Sequence, residues 1–131
     1  MIYRLTPAEC FEQWDDLKPL IDIAIVDEHY TSEDIKKHLL DGISRAYKVV
    51  LDGVILAVVT AELVVYPKAK VVRIHTAGGK DSHLWAEKVI DAISEDANNN
   101  GATELQIIGR KGWLKVLDGF KEQYTVMSKT I

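Results

Sequence analysis

The sequence predicts an α/β fold of the α+β kind: a mixed, mostly antiparallel sheet with helices on both faces. Three observations predict it. Two apolar runs at 46–51 and 54–60 flank Asp52-Gly53, the strongest short hairpin signal. The second run continues to residue 65 and is apolar on both faces, which marks a central strand covered on each side. Residues 69–109 read strand, glycine turn, helix, strand, and such a crossover implies one parallel pair.

Each element has its own signal. Residues 1–5 form a short strand. Thr6-Pro7-Ala8-Glu9 is a helix start, with Thr6 as cap, proline at the first helical position and Glu9 closing a capping box. Phe11, Trp14, Leu17, Ile21 and Ala24 then recur at helical spacing as one apolar stripe, and Pro19 kinks or divides that helix. Thr31 opens the next helix, with Asp34 in place of the usual Glu; Ile35, Leu39 and Leu40 face the core and Gly42 ends it. The hairpin follows. Tyr66-Pro67-Lys68-Ala69 breaks the apolar run and leads into a strand at 69–76.

Residues 77–82, Ala-Gly-Gly-Lys-Asp-Ser, read as a turn. Glycine there lets backbone N–H groups approach a ligand closely, and the helix start beyond favours negative charge, a cradle for a phosphorylated cofactor. Asp81 and Ser82 are read first as caps of that helix. The helix at 83–97 carries Trp85, Val89 and Ile93 on one line and stops at Asn98-Asn-Asn-Gly101. A strand at 103–109, a short helix through Leu117, the Asp118-Gly119-Phe120 turn and a last strand at 123–128 complete the order β-α-α-β-β-β-α-β-α-β.

Composition narrows the classes. A chain of 131 residues is expected to form one domain, residues 1–131, and its 47% hydrophobic and 27% charged residues are those of a globular protein rather than a disordered one. The net charge of −4 is uneven: residues 1–50 hold six basic and ten acidic residues, the rest ten of each. No basic stripe suggests nucleic acid, no apolar run suggests a membrane span, and no leader is visible, so the expected compartment is the cytoplasm. Cys10, the only cysteine, cannot form an intrachain disulfide and reads as a small buried hydrophobe. The four histidines show no metal-ligand spacing, so no metal is expected. The three tryptophans read as core.

The element order resembles the GNAT superfamily of N-acyltransferases over essentially the whole chain. The tail is the best local match: Gly101-Ala-Thr-Glu-Leu-Gln-Ile-Ile108, then Leu117-Asp118-Gly119-Phe120, is similar to the family's closing strand and turn. Gly112-Trp113 at the start of the last helix also resembles compact GNAT-like proteins encoded by bacteriophages. The resemblance implies acetyl-CoA or coenzyme A as acyl carrier and a small-molecule or peptide amine as acceptor. It places the carrier along Ile74, His75 and Thr76 of the strand and on Ala77, Gly78, Gly79, Lys80, Ser82 and His83 beyond it. It puts His29 and Tyr30 beside the acceptor. The chain departs from the family pattern in two places: its glycines are adjacent rather than spaced, and Lys115 stands where a general-acid tyrosine often lies.

Acyl transfer to an amine needs a base, a polarised thioester carbonyl and a proton for the leaving thiolate. Glu62, in an otherwise apolar strand, is a candidate base if buried; otherwise it faces solvent or pairs with Arg73. His75 has the right intrinsic pKa for a base, or is a hydrogen-bonded structural histidine. Tyr124 is the candidate acid. The alternative is a catalytically inactive GNAT-like binding or assembly protein, in a phage particle or infected cell. A homodimer through the last strand (Tyr124, Val126, Met127) is a further expectation.

Overall fold

The computed structural model describes residues 1–131. The elements are β1 (Ile2–Leu5), α1 (Pro7–Glu12), α2 (Trp14–Asp22), α3 (Ser32–Leu40), β2 (Ser44–Leu51), β3 (Val54–Val65), β4 (Lys70–Gly79), α4 (Ser82–Asn99), β5 (Glu104–Ile107) and a 3-10 turn (Lys111–Lys115). The sheet order is β1-β2-β3-β4-β5; the first three pairings are antiparallel and β4–β5 is parallel. Helices α1–α3 cover one face and α4 the other.

Local chemistry accounts for the helix starts. Both capping boxes form: Thr6 Oγ1 accepts from the Glu9 N–H while Glu9 accepts from that of Thr6, and Thr31 and Asp34 do the same. Asp52 and Gly53 both take positive φ, 52° and 78°, as the tight hairpin turn requires. Val58 packs with Cys10, Leu17, Ile21, Ile35 and Leu39 beneath α1–α3, while Val59 packs with Trp85, Val89 and Ile93 beneath α4. Two apolar faces on one strand therefore mean a strand between two helical layers, as its sequence indicates. Cys10 is 2% exposed, and burial pushes its thiol pKa up to about 11.

Several expectations are corrected. The first helix divides at Gln13, and Pro19 lies inside α2. Proline there removes one N–H from a nine-residue helix that is held mainly by burial of Trp14, Leu17 and Ile21. The break turns Cys10 rather than Phe11 into the core; Phe11 is 64% exposed, with the Lys36 ammonium 5.9 Å from its ring centre. Leu40 is also exposed. The expected turn at 77–82 is shorter: Ala77, Gly78 and Gly79 belong to β4, and only Lys80 and Asp81 separate it from α4.

The end of the chain differs most. The helix after β5 is a 3-10 turn, and residues 123–128 form no strand. Leu117 is buried and Phe120 packs against the α4 core, but beyond them Tyr124, Val126 and Met127 are exposed. Alternation alone does not hold a strand that has no apolar layer to cover it. The outer edge of β5 is left without a neighbour, and the dimer expected through a last strand loses that element.

Gly78 decides how closely the α1–α3 layer sits on the sheet. A Cβ there would lie 2.3 Å from the Leu20 carbonyl oxygen and 2.8 Å from Ala24 Cβ. Gly78→Ala is expected to destabilise the fold by about 1–3 kcal/mol or more, because α2 must retreat from β4. Gly112→Ala, where a Cβ meets nothing within 4 Å, is expected to stay within about 0.5 kcal/mol of wild type. Urea denaturation of the two variants checks this, and equal midpoints would contradict the packing role of Gly78.

Candidate active site

The site is built on an irregularity in β4. Thr60 pairs with Thr76 but Ala61 pairs with Ile74, so His75 is an extra residue, a β-bulge. Ile74 points into the α4 core, while His75 and Thr76 both present to the α1–α3 side. There the Thr76 and Thr60 hydroxyls bond each other at 2.6 Å, which satisfies two polar groups in a dry position.

The bulge also ends the parallel pairing. β5 pairs with β4 at residues 71 to 74, and one last bond runs from the Ile108 N–H to the Ile74 carbonyl at 3.2 Å. Residues 75–79 have no partner on the β5 side, because β5 ends at Ile107; the wedge is the region beside this free edge of β4, past the end of β5. On the α4 side Ile107, Trp113 and Leu117 close the base of the wedge against Trp85 and Ala77, leaving a cavity of about 20 Å³. The Trp85 indole N–H donates to the Lys80 carbonyl at 2.7 Å and fixes the wall of the wedge to the start of α4.

A polar cluster surrounds the bulge on the other side. The Tyr30 ring meets His75 edge-on at 4.5 Å and His38 at 6.2 Å, centre to centre. Tyr30 comes from the connection between α2 and α3, and His38 from α3. Glu62 is half-buried on the same face, directly opposite Arg73 across β3 and β4. The pair forms no ion pair. Arg73 instead donates to the Tyr66 hydroxyl and, at 3.4 Å, to Gln106 Oε1, while its buried Nε has no partner.

Electrostatics favour a neutral His75. Burial holds its pKa below the ordinary histidine value; Glu62 and Asp27 oppose that shift, and His38 and Arg73 add to it. A neutral imidazole keeps a lone pair free for a proton, as a base at neutral pH requires.

The start of α4 is less ordinary than its sequence. Asp81 sits at the N-cap with φ 55° and ψ 47°, and its carboxylate makes no capping bond. The αL conformation costs a non-glycine residue about 1 kcal/mol, least for Asp and Asn. Ser82 is the first helical residue, so neither it nor Asp81 caps the helix, contrary to the sequence reading. The first-turn N–H groups therefore lack a side-chain partner, with exposed Lys80 and His83 beside them.

The structure thus brings together His75, Glu62 and Tyr30 of the residues singled out by sequence. Gly78 and Gly79 lie along the wedge, but the Cβ positions of both are taken by protein: α2 at Gly78, and Leu56 and Ala57 at Gly79. They serve packing first. His29 lies apart, its side chain 83% exposed and its backbone N–H bonded to Asp27 Oδ1 at 2.9 Å. Tyr124 is 67% exposed in the tail, outside the cluster, because the strand that would carry it does not form. His38 and Asp27 were missed. His38 lies one turn beyond Asp34 and one residue before core Leu39, so only the crossing of α3 over β4 reveals its place.

No protein-family model matches the chain, and no curated protein shows significant similarity to it. Solved structures do match. An aminoglycoside acetyltransferase from an uncultured soil metagenomic sample superposes with a TM-score of 0.77 at 15% identity, over 100% of this chain and 97% of that one. A GNAT family acetyltransferase of Staphylococcus aureus gives 0.68 at 13% identity, over 100% and 98%. A predicted acetyltransferase of Clostridium acetobutylicum, solved with acetyl-CoA, gives 0.72 at 12% identity, over 99% and 95%. At these identities the likeness is one of architecture, and the chain has the fold of the GNAT acetyltransferases.

Proposed function

We propose that the protein is an acyl-CoA-dependent N-acyltransferase acting on an amine. The observation that carries this reading is the free edge of β4 at residues 75–79, running from His75 to the uncapped start of α4. Residues present fit an acyl-CoA. Unpaired backbone groups along the edge suit an amide-bearing arm, and the α4 start with Lys80 and His83 suits a pyrophosphate. The carrier supplies an acyl group activated as a thioester.

The chain's own residues divide the remaining work. His75, neutral and close to the Glu62 charge, takes one proton from the acceptor ammonium; the freed amine forms the C–N bond as the thioester C–S bond breaks, the imidazolium passes its proton to the departing thiolate, and the second nitrogen proton goes to solvent. This reading assigns the developing negative charge to backbone N–H groups of the bulge, whose edge has no β5 partner. Tyr30 and His38 wall the acceptor side, and Glu62 and Asp27 attract a cationic amine. Two of the matched structures are described as an aminoglycoside acetyltransferase and a ribosomal-protein-alanine N-acetyltransferase, so amines of both small molecules and proteins are acceptors to test.

A second reading is a GNAT-shaped binding or assembly protein without catalysis, including one of a phage particle. Loss of catalysis is favoured by the packing of Gly78 under α2 and by the Asp81 carboxylate at the start of α4. Coenzyme A affinity separates the two. Acetyl-CoA at about 100 times Kd is expected to stabilise the fold by roughly 2.7 kcal/mol. Lys80→Glu is expected to weaken that binding while leaving the ligand-free melting temperature unchanged. No calorimetric heat and no melting shift up to millimolar acetyl-CoA would eliminate the transferase reading.

The His75 assignment has its own test. Its imidazole is expected to titrate below about 6.5 by NMR, and further below in Glu62→Gln, which removes a negative charge that favours imidazolium. The unfolded chain takes up that proton near pH 6.5 and the folded chain only at lower pH. Stability contributed by the neutral histidine is therefore present above about pH 6.5 and lost as pH falls below it. An unshifted midpoint would contradict the burial argument. For acyl transfer, His75→Ala is expected to lower kcat by about 10²–10⁴-fold with acetyl-CoA affinity retained.

A further inference from the structure

The sheet face turned toward α4 holds a second cavity; Glu62 of β3 lines it, but alternation with core Ala61 sends the Glu62 carboxylate toward the His75 face of the sheet. We infer that it is a binding site for a small monocarboxylate with a short aliphatic tail.

The site lies where the C-terminal end of α4 leaves the sheet. Its volume is about 170 Å³. A cavity of roughly 150 Å³ lined by apolar side chains takes up benzene, so there is room for about six to eight non-hydrogen atoms. Ala61 and Leu63 of β3, Val72 of β4 and Ile93 of α4 form an apolar floor. These side chains offer no hydrogen bond, so a ligand must put its hydrocarbon part there and keep its polar end at the rim.

The rim decides the charge. Asp96 is already committed, accepting from the Tyr47 hydroxyl at 2.5 Å and from Arg4 at 3.4 Å. Burial, with that bond to Asp96, holds the Tyr47 phenol protonated far above the ordinary tyrosine range. The Asn100 side-chain N–H donates to the Asp96 backbone carbonyl at 2.7 Å. Arg45 is different: it lines the same cavity, is exposed, and forms neither a hydrogen bond through its side chain nor an ion pair. With the Asp96 carboxylate offset by Arg4, the Arg45 guanidinium is the charged group of the rim that has no partner. Its planar fork matches a carboxylate. Head at Arg45 and tail on Leu63 and Val72 is the orientation that satisfies both ends.

The site does not depend on the acyl-transfer reading. The probe is 3-methylbutanoate, followed by NMR on the full chain. Saturable shifts are expected at the backbone amides of Ala61, Leu63, Val72 and Ile93, with none at Tyr30 or His75. Arg45→Gln is expected to weaken binding about tenfold or more, as loss of a charged hydrogen bond does. Both Arg45 and Leu63 are exposed, so Arg45→Gln and Leu63→Glu should fold as wild type, and Leu63→Glu should abolish the shifts by placing a carboxylate on the floor. The neutral analogue 3-methylbutanamide should bind about tenfold more weakly or worse. Absence of shifts up to about 20 mM, equal binding of the amide, or shifts centred on His75 would each overturn the inference.

Discussion

One extra residue in β4 is the constraint on which the site depends. Strict alternation would send Ile74, Thr76 and Gly78 to one face of the sheet. The bulge at His75 breaks that rhythm, so Ile74 and Ala77 both reach the α4 core while His75, Thr76 and Gly78 face α1–α3. The same insertion is the point at which β5 stops following β4. A packing irregularity, a polar cluster and a free strand edge thus share a single origin.

The two helical layers then compete for the space the bulge creates. On one side α2 presses so closely that only glycine fits at position 78; on the other, Trp113 and Leu117 close the base of the wedge. What remains free is the backbone edge between them. A site of this kind recognises a ligand through main-chain groups, whose positions the layers fix, more than through side chains. The side chains nearby, His75 with Tyr30, His38 and Glu62, are the groups to which the proposed transfer assigns its proton chemistry.

Much of the architecture was legible because its signals are local. Both capping boxes, the Asp52-Gly53 turn, the doubly covered β3 and the crossover through α4 follow from residues close in sequence. What failed was non-local. Pro19 looks like the helix breaker, yet the break falls at Gln13, because where the chain turns is set by burying Cys10 and Trp14. Tyr124 to Ser128 alternates like a strand but has no layer to cover it. The bulge leaves no mark in the sequence: it is a register relation between Thr60 and Thr76. Gly78 and Gly79 were conspicuous, but their adjacency reflects contact with α2 and β3 at least as much as access for a ligand. His38 and Asp27 could be found only once α3 and the loop before it were seen over β4.

The lone thiol of Cys10 has a practical consequence. Seated under α1–α3 and protonated at neutral pH, it is shielded both sterically and chemically from alkylating agents. Reaction with such a reagent must wait until the first helix lifts from the sheet. The chain therefore carries an intrinsic stopwatch for the detachment of its N-terminal layer, readable by mass spectrometry without any engineered label.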